Sequence, residues 1–466
     1  MRHELLLVAI TVILLIVEIF LPAGKKQQII IPALLLMAAV TIVGFLPANP
    51  GELFGGMYRS TPLNVMVKNI LNIGVLIVFI QSVDWLKQEQ NREKISEFFL
   101  LILATLIGMN YMISAGDFLM FYIGLELATI PLAALAAYDR FKEHSAEAGV
   151  KLIFSSALSS GILLYGLSMV YGTTGTMYFD EVAPLITGSP LQTLALIFFF
   201  AGMAFKISLV PFHLWTADVY EGAPVNVTSY LSVISKGAAV FIFTIILFTV
   251  FQKMAVLWSD VIYVITLLTI TVGNLFAMRQ QNLKRFLAFS SIAQAGFILL
   301  GIISQSQLGM ATVVYFVLVY IFSNLGAFGV VAIISNRTGK ENISDYDGLY
   351  RTNPNLSLVM MLALFSLAGI PPLAGFFGKF FLFTAAAKQG YYILLLIALI
   401  NTIISLYYYL LVIKAMLLNS SDRPIGKFRS DNYTRLGLLL CVAGMVVVGF
   451  VAGFYESIFN LSSGLY

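Results

Sequence analysis

The sequence predicts an all-α polytopic membrane protein with about fourteen transmembrane helices. Three observations support this fold class. Of the 466 residues, 59% are hydrophobic and only 11% are charged, against the ~25% charged residues of an ordinary soluble domain. The apolar residues form long runs without the period-two alternation of strands. The longest connections, 47–65, 171–190 and 335–354, are too short to hold a separate folded domain.

Fourteen apolar segments reach the roughly 17–25 residues that a bilayer-spanning helix needs. In chain order they lie near 4–21, 28–46, 66–83, 97–114, 116–138, 146–170, 191–212, 223–250, 256–278, 285–304, 308–334, 355–388, 391–418 and 435–462. We refer to them as segments 1 to 14.

Two segments carry a proline break beside a lysine. Segment 7 reads AGMAFKISLVPFHLW, with Pro211 five residues after Lys206, and segment 12 reads SLAGIPPLAGFFGKFFLF, with Pro371 and Pro372 before Lys379. Proline removes a backbone donor, and the freed carbonyls are tolerated in a membrane only inside protein or beside water. Each break is either a functional interruption or a kink that only improves packing.

The two breaks predict an internal repeat. If segments 4–8 and 9–13 are two copies, the broken segment is the fourth of five in both, and the odd number inverts the second copy. We therefore expect an N-terminal three-helix unit at 1–96, one five-helix repeat at 97–250, an inverted repeat at 251–418, and a C-terminal loop and helix at 419–466.

Ionisable residues lie inside these apolar segments. A charge at the bilayer centre costs ~2.5–3.5 kcal/mol and usually marks an ion or proton path. Glu126 lies within segment 5. The lysines inside segments are Lys68, Lys151, Lys206, Lys236, Lys379 and Lys414. Lys68 and Lys414 lie near segment ends, so we expect them to snorkel and to have no functional role. Lys151 either snorkels or joins a path.

Several other polar residues have ordinary structural interpretations. We expect Asp218 and Glu221 to serve a turn or a helix cap, and Lys284 and Arg285 to anchor the topology. The Tyr407–Tyr409 run is expected to serve packing. A single cysteine and three scattered histidines predict no disulfide, haem or metal site in this chain. The net charge of +4 comes from loop residues and does not indicate a nucleic-acid partner.

The distribution of Lys and Arg predicts the orientation. The connections after the odd-numbered segments carry 17 of these residues, whereas the termini and the other connections carry 4. Because cytoplasmic loops are enriched in Lys and Arg, both termini are expected on the non-cytoplasmic side.

Four motifs of this chain occur together: PFHLWTADVYEGAP, LSVISKGA, NLKRFLAFSSIAQAG and AGIPPLAGFFGK. In combination they resemble the antiporter-like membrane subunits of respiratory complex I, over segments 4–13 at least. DVYEGAP, the lysine at 379 in place of the glutamate of M-type subunits, and the end of the chain after segment 14 are typical of the N-type branch. The resemblance implies a proton-translocating membrane subunit of an NADH-quinone oxidoreductase, driven by redox chemistry in partner subunits.

The resemblance also implies roles for individual residues. Glu126 would pair with Lys206, Lys236 would be the central lysine, and Lys379 would end the proton path. Gln294 stands where many relatives have histidine, and segment 11 has no ionisable bridging residue. Weaker matches and candidates for a relay are Lys151, His213, Tyr315, Tyr320, Ser323 and Asn324.

The implied partners are the other membrane subunits of complex I, including a homologous antiporter-like subunit, and lipids. NADH, flavin, iron–sulfur clusters and quinone are expected in partner subunits, with no cofactor in this chain. The implied location is the bacterial inner (plasma) membrane. Three alternatives remain: a subunit of a multisubunit cation/proton antiporter of the sodium type, a scaffold that assembles a respiratory complex without pumping, and a solitary solute transporter.

Overall fold

The computed structural model describes residues 1–139 and 141–465, so residue 466 of the predicted C-terminal unit lies outside the description. The helices in chain order are α1 (Arg2–Phe20), α2 (Ile30–Gly44), α3 (Pro62–Leu86), α4 (Ile95–Ile113), α5 (Phe118–Leu127), α6 (Ile130–Ala136), α7 (Glu143–Thr174), α8 (Phe179–Leu185), α9 (Pro190–Ile207), α10 (Leu214–Gly222), α11 (Val225–Tyr230), α12 (Lys236–Thr249), α13 (Ala255–Ala277), α14 (Leu283–Ile302), α15 (Gln307–Thr338), α16 (Leu349–Thr352), α17 (Pro354–Ala368), α18 (Ala374–Lys388), α19 (Tyr392–Leu417), α20 (Asn432–Phe450) and α21 (Gly453–Ser462). A π-helical turn, Leu231–Ser235, joins α11 to α12.

The all-α membrane fold is confirmed. Within residues 1–139 and 141–465, thirteen helical stretches are long and apolar enough to cross a membrane. The fourteenth predicted segment, segment 12, is divided into α17 and α18, and α17 alone is too short to count. Two short strands, β1 (Gly51–Leu53) and β2 (Tyr58–Ser60), pair antiparallel between α2 and α3.

The centre of the bundle is α15. Its apolar stretch is entirely buried and packs against α14, α17, α18 and α20. The stretch α11–α12 and helix α14 are also almost completely buried, whereas α1 and α13 expose most of their apolar surface. Long exposed apolar surface is expected where helices face lipid tails. Polar side chains on α12, α14 and α15 are therefore shielded from lipid by the outer helices.

In the described part of the chain, three segments are interrupted inside the bundle, and segment 14 divides near its end into α20 and α21. Helix α9 ends at Ile207 and α10 begins at Leu214, with Pro211 between them. Helix α17 ends before a stretch that contains Pro371 and Pro372, after which α18 begins. The third interruption, between α5 and α6, was not predicted, although Pro131 in the first turn of α6 is a sequence signal for it. Each interruption leaves backbone groups without intrahelical partners.

Contacts between loops divide the molecule into two faces. On one face Lys26 donates to the Glu93 carbonyl at 3.0 Å and Lys340 donates to the Arg423 carbonyl at 3.2 Å. We call this the basic face; it includes 22–29, 87–94, 339–353 and 419–431. The opposite face holds the N-terminus, the β1–β2 hairpin and α8, where Arg59 binds Asp180.

Candidate functional site

Lys206 lies at the first break. It is the penultimate residue of α9, its side chain is 8% exposed, and its Nζ donates to Thr129 Oγ1 at 2.6 Å. Thr129 lies in the interruption between α5 and α6. Two interrupted segments therefore meet at this buried ammonium, and a neutral hydroxyl is its direct partner.

Glu126 lies near Lys206 without forming an ion pair. Its carboxylate acts electrostatically on Lys206, but no Nζ–oxygen distance between them is within 4.0 Å. Its Oε1 is buried and has no hydrogen-bond partner among the described residues. Because α5 ends after Leu127, the chain turns and presents Thr129 to the ammonium. The expected direct pair is thus a looser arrangement with Thr129 as the contacting residue.

Lys236 is the first residue of α12 and follows the π-helical turn directly. Its Nζ donates to Ser291 Oγ at 2.7 Å and lies 5.5 Å from the centre of the Tyr220 ring. The side chain is 4% exposed. Single π-helical turns inside α-helices occur frequently at functional sites, because the extra residue redirects the side chains that follow.

Lys379 lies beside the second break. Its Nζ donates to the carbonyl of Ala368, the last residue of α17, at 3.2 Å, and lies 4.6 Å from the centre of the Phe297 ring. The last carbonyls of a helix lack intrahelical donors. The break therefore supplies the acceptor that holds this buried lysine.

Helix α14 connects the surroundings of Lys236 and Lys379. Ser290 and Tyr409 share a hydrogen bond of 2.6 Å, and Gln294 donates to Tyr409 at 3.3 Å and to the Leu367 carbonyl at 3.0 Å. Leu367 precedes the carbonyl that binds Lys379. The tyrosine run was expected to serve packing, and the structure adds hydrogen bonds to that role, because Tyr408 also donates to Asn274 at 2.9 Å.

The candidates on α15 divide into two groups. Tyr315 donates to the Val448 carbonyl on α20 at 3.0 Å, away from the lysines. Ser323 bonds to Ser366 beside the second break at 2.7 Å, and Asn324 donates to Ser232 of the π-helical turn at 2.6 Å. The side chain of Tyr320 lies near Ser291, and its buried hydroxyl has no hydrogen-bond partner among the described residues.

A polar cavity of about 850 Å³ opens on the basic face. Lys151 binds Asp218 and Glu147, both at 2.7 Å, and Arg285 binds Asp218 at 2.8 Å and Glu221 at 2.7 Å. Burial raises the pKa of Asp218, but hydrogen bonds from the two cationic side chains outweigh it and lower that pKa overall. The expected cap and anchor roles were incomplete, because Asp218 and Glu221 lie within α10 and form an ion-pair network with Arg285, whereas Lys284 pairs separately with Glu341 at 3.2 Å.

His213 is a buried histidine at the start of α10, close enough to Lys236 to interact with it electrostatically. It occupies the N-cap of α10 and is 7% exposed. Its Nδ1 has no hydrogen-bond partner among the described residues.

The two remaining lysines behave differently from each other. Lys414 is exposed, as snorkelling requires. The expectation that Lys68 snorkels was wrong: its side chain is 1% exposed and forms an ion pair with Glu4, which is equally buried. The partner lies 64 residues away on α1, so the pair is not evident from the segment that carries Lys68. In the described part of the chain, no three His, Cys, Asp or Glu side chains cluster as metal ligands.

Buried lysines on interrupted helices, inside a bundle of membrane-spanning segments, define an antiporter-like membrane subunit. Residues 115–405 match the family described as NADH:quinone oxidoreductase/Mrp antiporter, transmembrane. The chain belongs to this family.

Two relatives are similar over almost their whole length. NADH-quinone oxidoreductase subunit N of Phocaeicola vulgatus is 54% identical, with 98% of this chain and 97% of the relative covered. The protein of the same name from Azobacteroides pseudotrichonymphae is 50% identical, covering 100% of this chain and 98% of the relative.

Solved structures have the same architecture. A chain of respiratory complex I from Thermus thermophilus with bound aureothin superposes with a TM-score of 0.80 at 28% identity, covering 97% of each chain. A chain of the Mrp complex from Dietzia sp. DQ12-45-1b superposes with a TM-score of 0.88 at 19% identity, covering 100% of this chain and 97% of the other. The second likeness concerns the fold alone.

Proposed function

We propose that this chain is a proton-translocating membrane subunit of an NADH-quinone oxidoreductase. The observation that carries the proposal is the row of three buried ammonium groups, Lys206, Lys236 and Lys379, each held by a neutral hydroxyl or carbonyl. A neutral acceptor compensates a buried charge less than a carboxylate does, so each lysine can exchange a proton without first breaking an ion pair.

Protons pass through the row by transfer between these amines, hydroxyl groups and internal water. Glu126 acts as the charged residue that holds the proton on Lys206 when the two approach and lets it go when they separate. From Lys236 the proton moves along Ser291, Gln294 and Tyr409 on the α14 side, supported by the Tyr320 hydroxyl. Ser323 and Asn324 fix the second break and the π-helical turn in place.

Entry takes place from the basic face. The cavity lined by Lys151, Asp218 and Arg285 collects protons there, and His213 passes them inward.

We assign the basic face to the cytoplasm of a bacterium and both termini to the other side. Residues 97–250 and 251–418 act as inverted copies, each with a lysine at its broken helix. Redox cofactors belong to partner subunits, and a homologous antiporter-like subunit is among the membrane partners.

A pull-down with ion-transport measurements tests this function. The complex isolated through a tag on this chain should contain NADH-oxidising subunits and, in sealed vesicles, acidify the side of the membrane opposite the NADH site at the same rate with or without Na⁺. The same acidification measurement without added NADH is the control. A complex that lacks NADH-oxidising subunits, or one that moves protons only against Na⁺, would instead establish the cation/proton antiporter alternative.

Thiol labelling tests the orientation. The native Cys441 is buried, so single introduced cysteines report cleanly. A membrane-impermeant maleimide should fail to label Ser420→Cys on the basic face in intact cells, and should label it after the membrane is opened. Ser463→Cys on the opposite face is the matched control and should be labelled in intact cells. The reverse pattern would show that the basic face is outside.

A further inference from the structure

A second buried ionisable cluster lies far from the lysine row, near the opposite face. Lys68 on α3 donates to Glu4 on α1, to Ser114 at the end of α4 and, at 3.1 Å, to the Tyr58 hydroxyl. Tyr58 in turn donates to the other Glu4 oxygen at 2.9 Å. The side chains of Glu4 and Lys68 are each 1% exposed. Such a buried ion pair is commonly less stabilising than apolar packing, so stability alone does not account for it.

One side of the cluster borders a cavity. A cavity of about 380 Å³ on the opposite face is lined by Lys68 and Tyr58, together with polar groups of Arg2, His3 and Glu52. His3 is 2% exposed, and its Nε2 has no partner among the described residues. Lys68 thus lies between the ion pair and this cavity.

The other side of the cluster leads inward. Helices α3 and α4 run antiparallel, and Lys68 meets Ser114, so the next turn inward presents Asn72 from α3 and Asn110 from α4. Both amides are 0% exposed, and all four of their side-chain polar atoms lack a hydrogen-bond partner among residues 1–139 and 141–465. Buried polar groups of this kind are normally satisfied by internal water.

The part of α4 next to Asn110 contacts Tyr230, which precedes Lys236 in the chain. One residue before Asn110, Met109 Sδ accepts a contact from the Tyr230 hydroxyl at 3.9 Å, and Tyr230 also shares a hydrogen bond of 2.6 Å with Thr105. Tyr230 ends α11 and directly precedes the π-helical turn before Lys236. Tyr230 thus lies beside the part of α4 that carries Asn110 and six residues before Lys236 in the chain.

We propose that the Glu4–Lys68 pair, with Tyr58 and Ser114, is a proton-exchange site through which protons leave this subunit at the opposite face. The proposal rests on the proposed function. In each passage, Glu4 takes a proton from water on the Asn72–Asn110 side, and a carboxyl O–H bond forms. Lys68, no longer facing a negative charge, releases one Nζ proton to water in the cavity. Glu4 then returns its proton to the Lys68 amine, and the ion pair is restored.

Two variants of the intact complex in liposomes test this site, with the protons translocated per NADH as the measured ratio. The double variant Glu4→Gln, Lys68→Met leaves no unpaired charge, and Asn110→Leu replaces the amide by an apolar group of similar size without touching the ion pair. In each variant the number of protons translocated per NADH should fall by at least half of the decrease that Lys236→Ala causes in the same assay. The neutralised pair at the other end of α1, Glu18→Gln with Lys26→Met, is the matched control and should keep the wild-type ratio.

The outcomes separate the two proposals. If Lys236→Ala lowers the ratio while both test variants keep it, the exchange site is refuted and the proposed function stands. If Lys236→Ala keeps the ratio, the proposed function fails and the exchange site with it. Should the Glu4–Lys68 variant fail to assemble because α1 detaches, Asn110→Leu decides, since a merely structural ion pair would leave its ratio unchanged.

Discussion

Replacing Lys236 by alanine should abolish proton transfer through this subunit while the complex still assembles. Among the described residues Lys236 contacts the Ser291 hydroxyl and the Tyr220 ring and forms no ion pair, so its removal leaves no opposite charge unpaired. Groups that carry a proton directly accelerate their step by about 10²–10⁴-fold, and the transfer step served here should slow by a factor in that range. The measurement is the number of protons translocated per NADH in liposomes, with assembly checked on native gels.

Two further variants sharpen this test. Lys236→Arg keeps a positive charge that cannot be released at physiological pH, so it should lose as much translocation as Lys236→Ala. Lys414→Ala, which removes an exposed lysine on α19, is the matched control and should behave as wild type. Wild-type translocation by Lys236→Arg would show that this position needs only a fixed charge, and the relay role would have to be withdrawn.

The second large effect concerns Glu126 and Lys206. Glu126→Gln should impair proton loading of Lys206, and Lys206→Met should stop transfer at the first break. Because the two side chains interact electrostatically without direct contact, the double variant should be no slower than the slower single variant. The expected non-additivity corresponds to ~0.5–3 kcal/mol. Translocation rates of the two single variants and the double variant are the measurement.

Thr129→Val completes this experiment, because it removes the hydroxyl that holds Lys206 and preserves the side-chain shape. Without that hydroxyl the ammonium should move toward Glu126, and proton release should slow although both charges remain. Strictly additive losses for Glu126→Gln and Lys206→Met would mean that the residues act independently, and Glu126 would leave the proposed path.

The parts of the fold that depend on local sequence could be predicted. A bilayer demands about twenty apolar residues for each span, so the segments followed from hydropathy alone, and the prolines marked two of the three interruptions. Glu126, Lys206, Lys236 and Lys379 were recognisable because charge inside an apolar segment is rare. The family resemblance then implied the order in which these residues follow one another along a proton path.

The parts of the fold that depend on contacts between distant segments could not be predicted from the sequence. Lys68 was misread because Glu4 approaches it from another helix, and depth along a single segment does not reveal such a partner. Tyr409 was read as packing because only the folded bundle brings Ser290 and Gln294 to its hydroxyl. Thr129 was overlooked because an isolated threonine in an apolar segment is unremarkable until an ammonium is found beside it.

The π-helical turn before Lys236 determines the direction in which that side chain points around the helix axis. Each residue of an α-helix advances the direction of its side chain by about 100°, so the one extra residue in Leu231–Ser235 determines which neighbour the ammonium faces. Rewinding this turn to ordinary α-helical geometry would rotate Lys236 by about 100° relative to α11 and carry it away from Ser291. The winding of this turn thus determines whether the middle lysine of the row faces Ser291 or another neighbour.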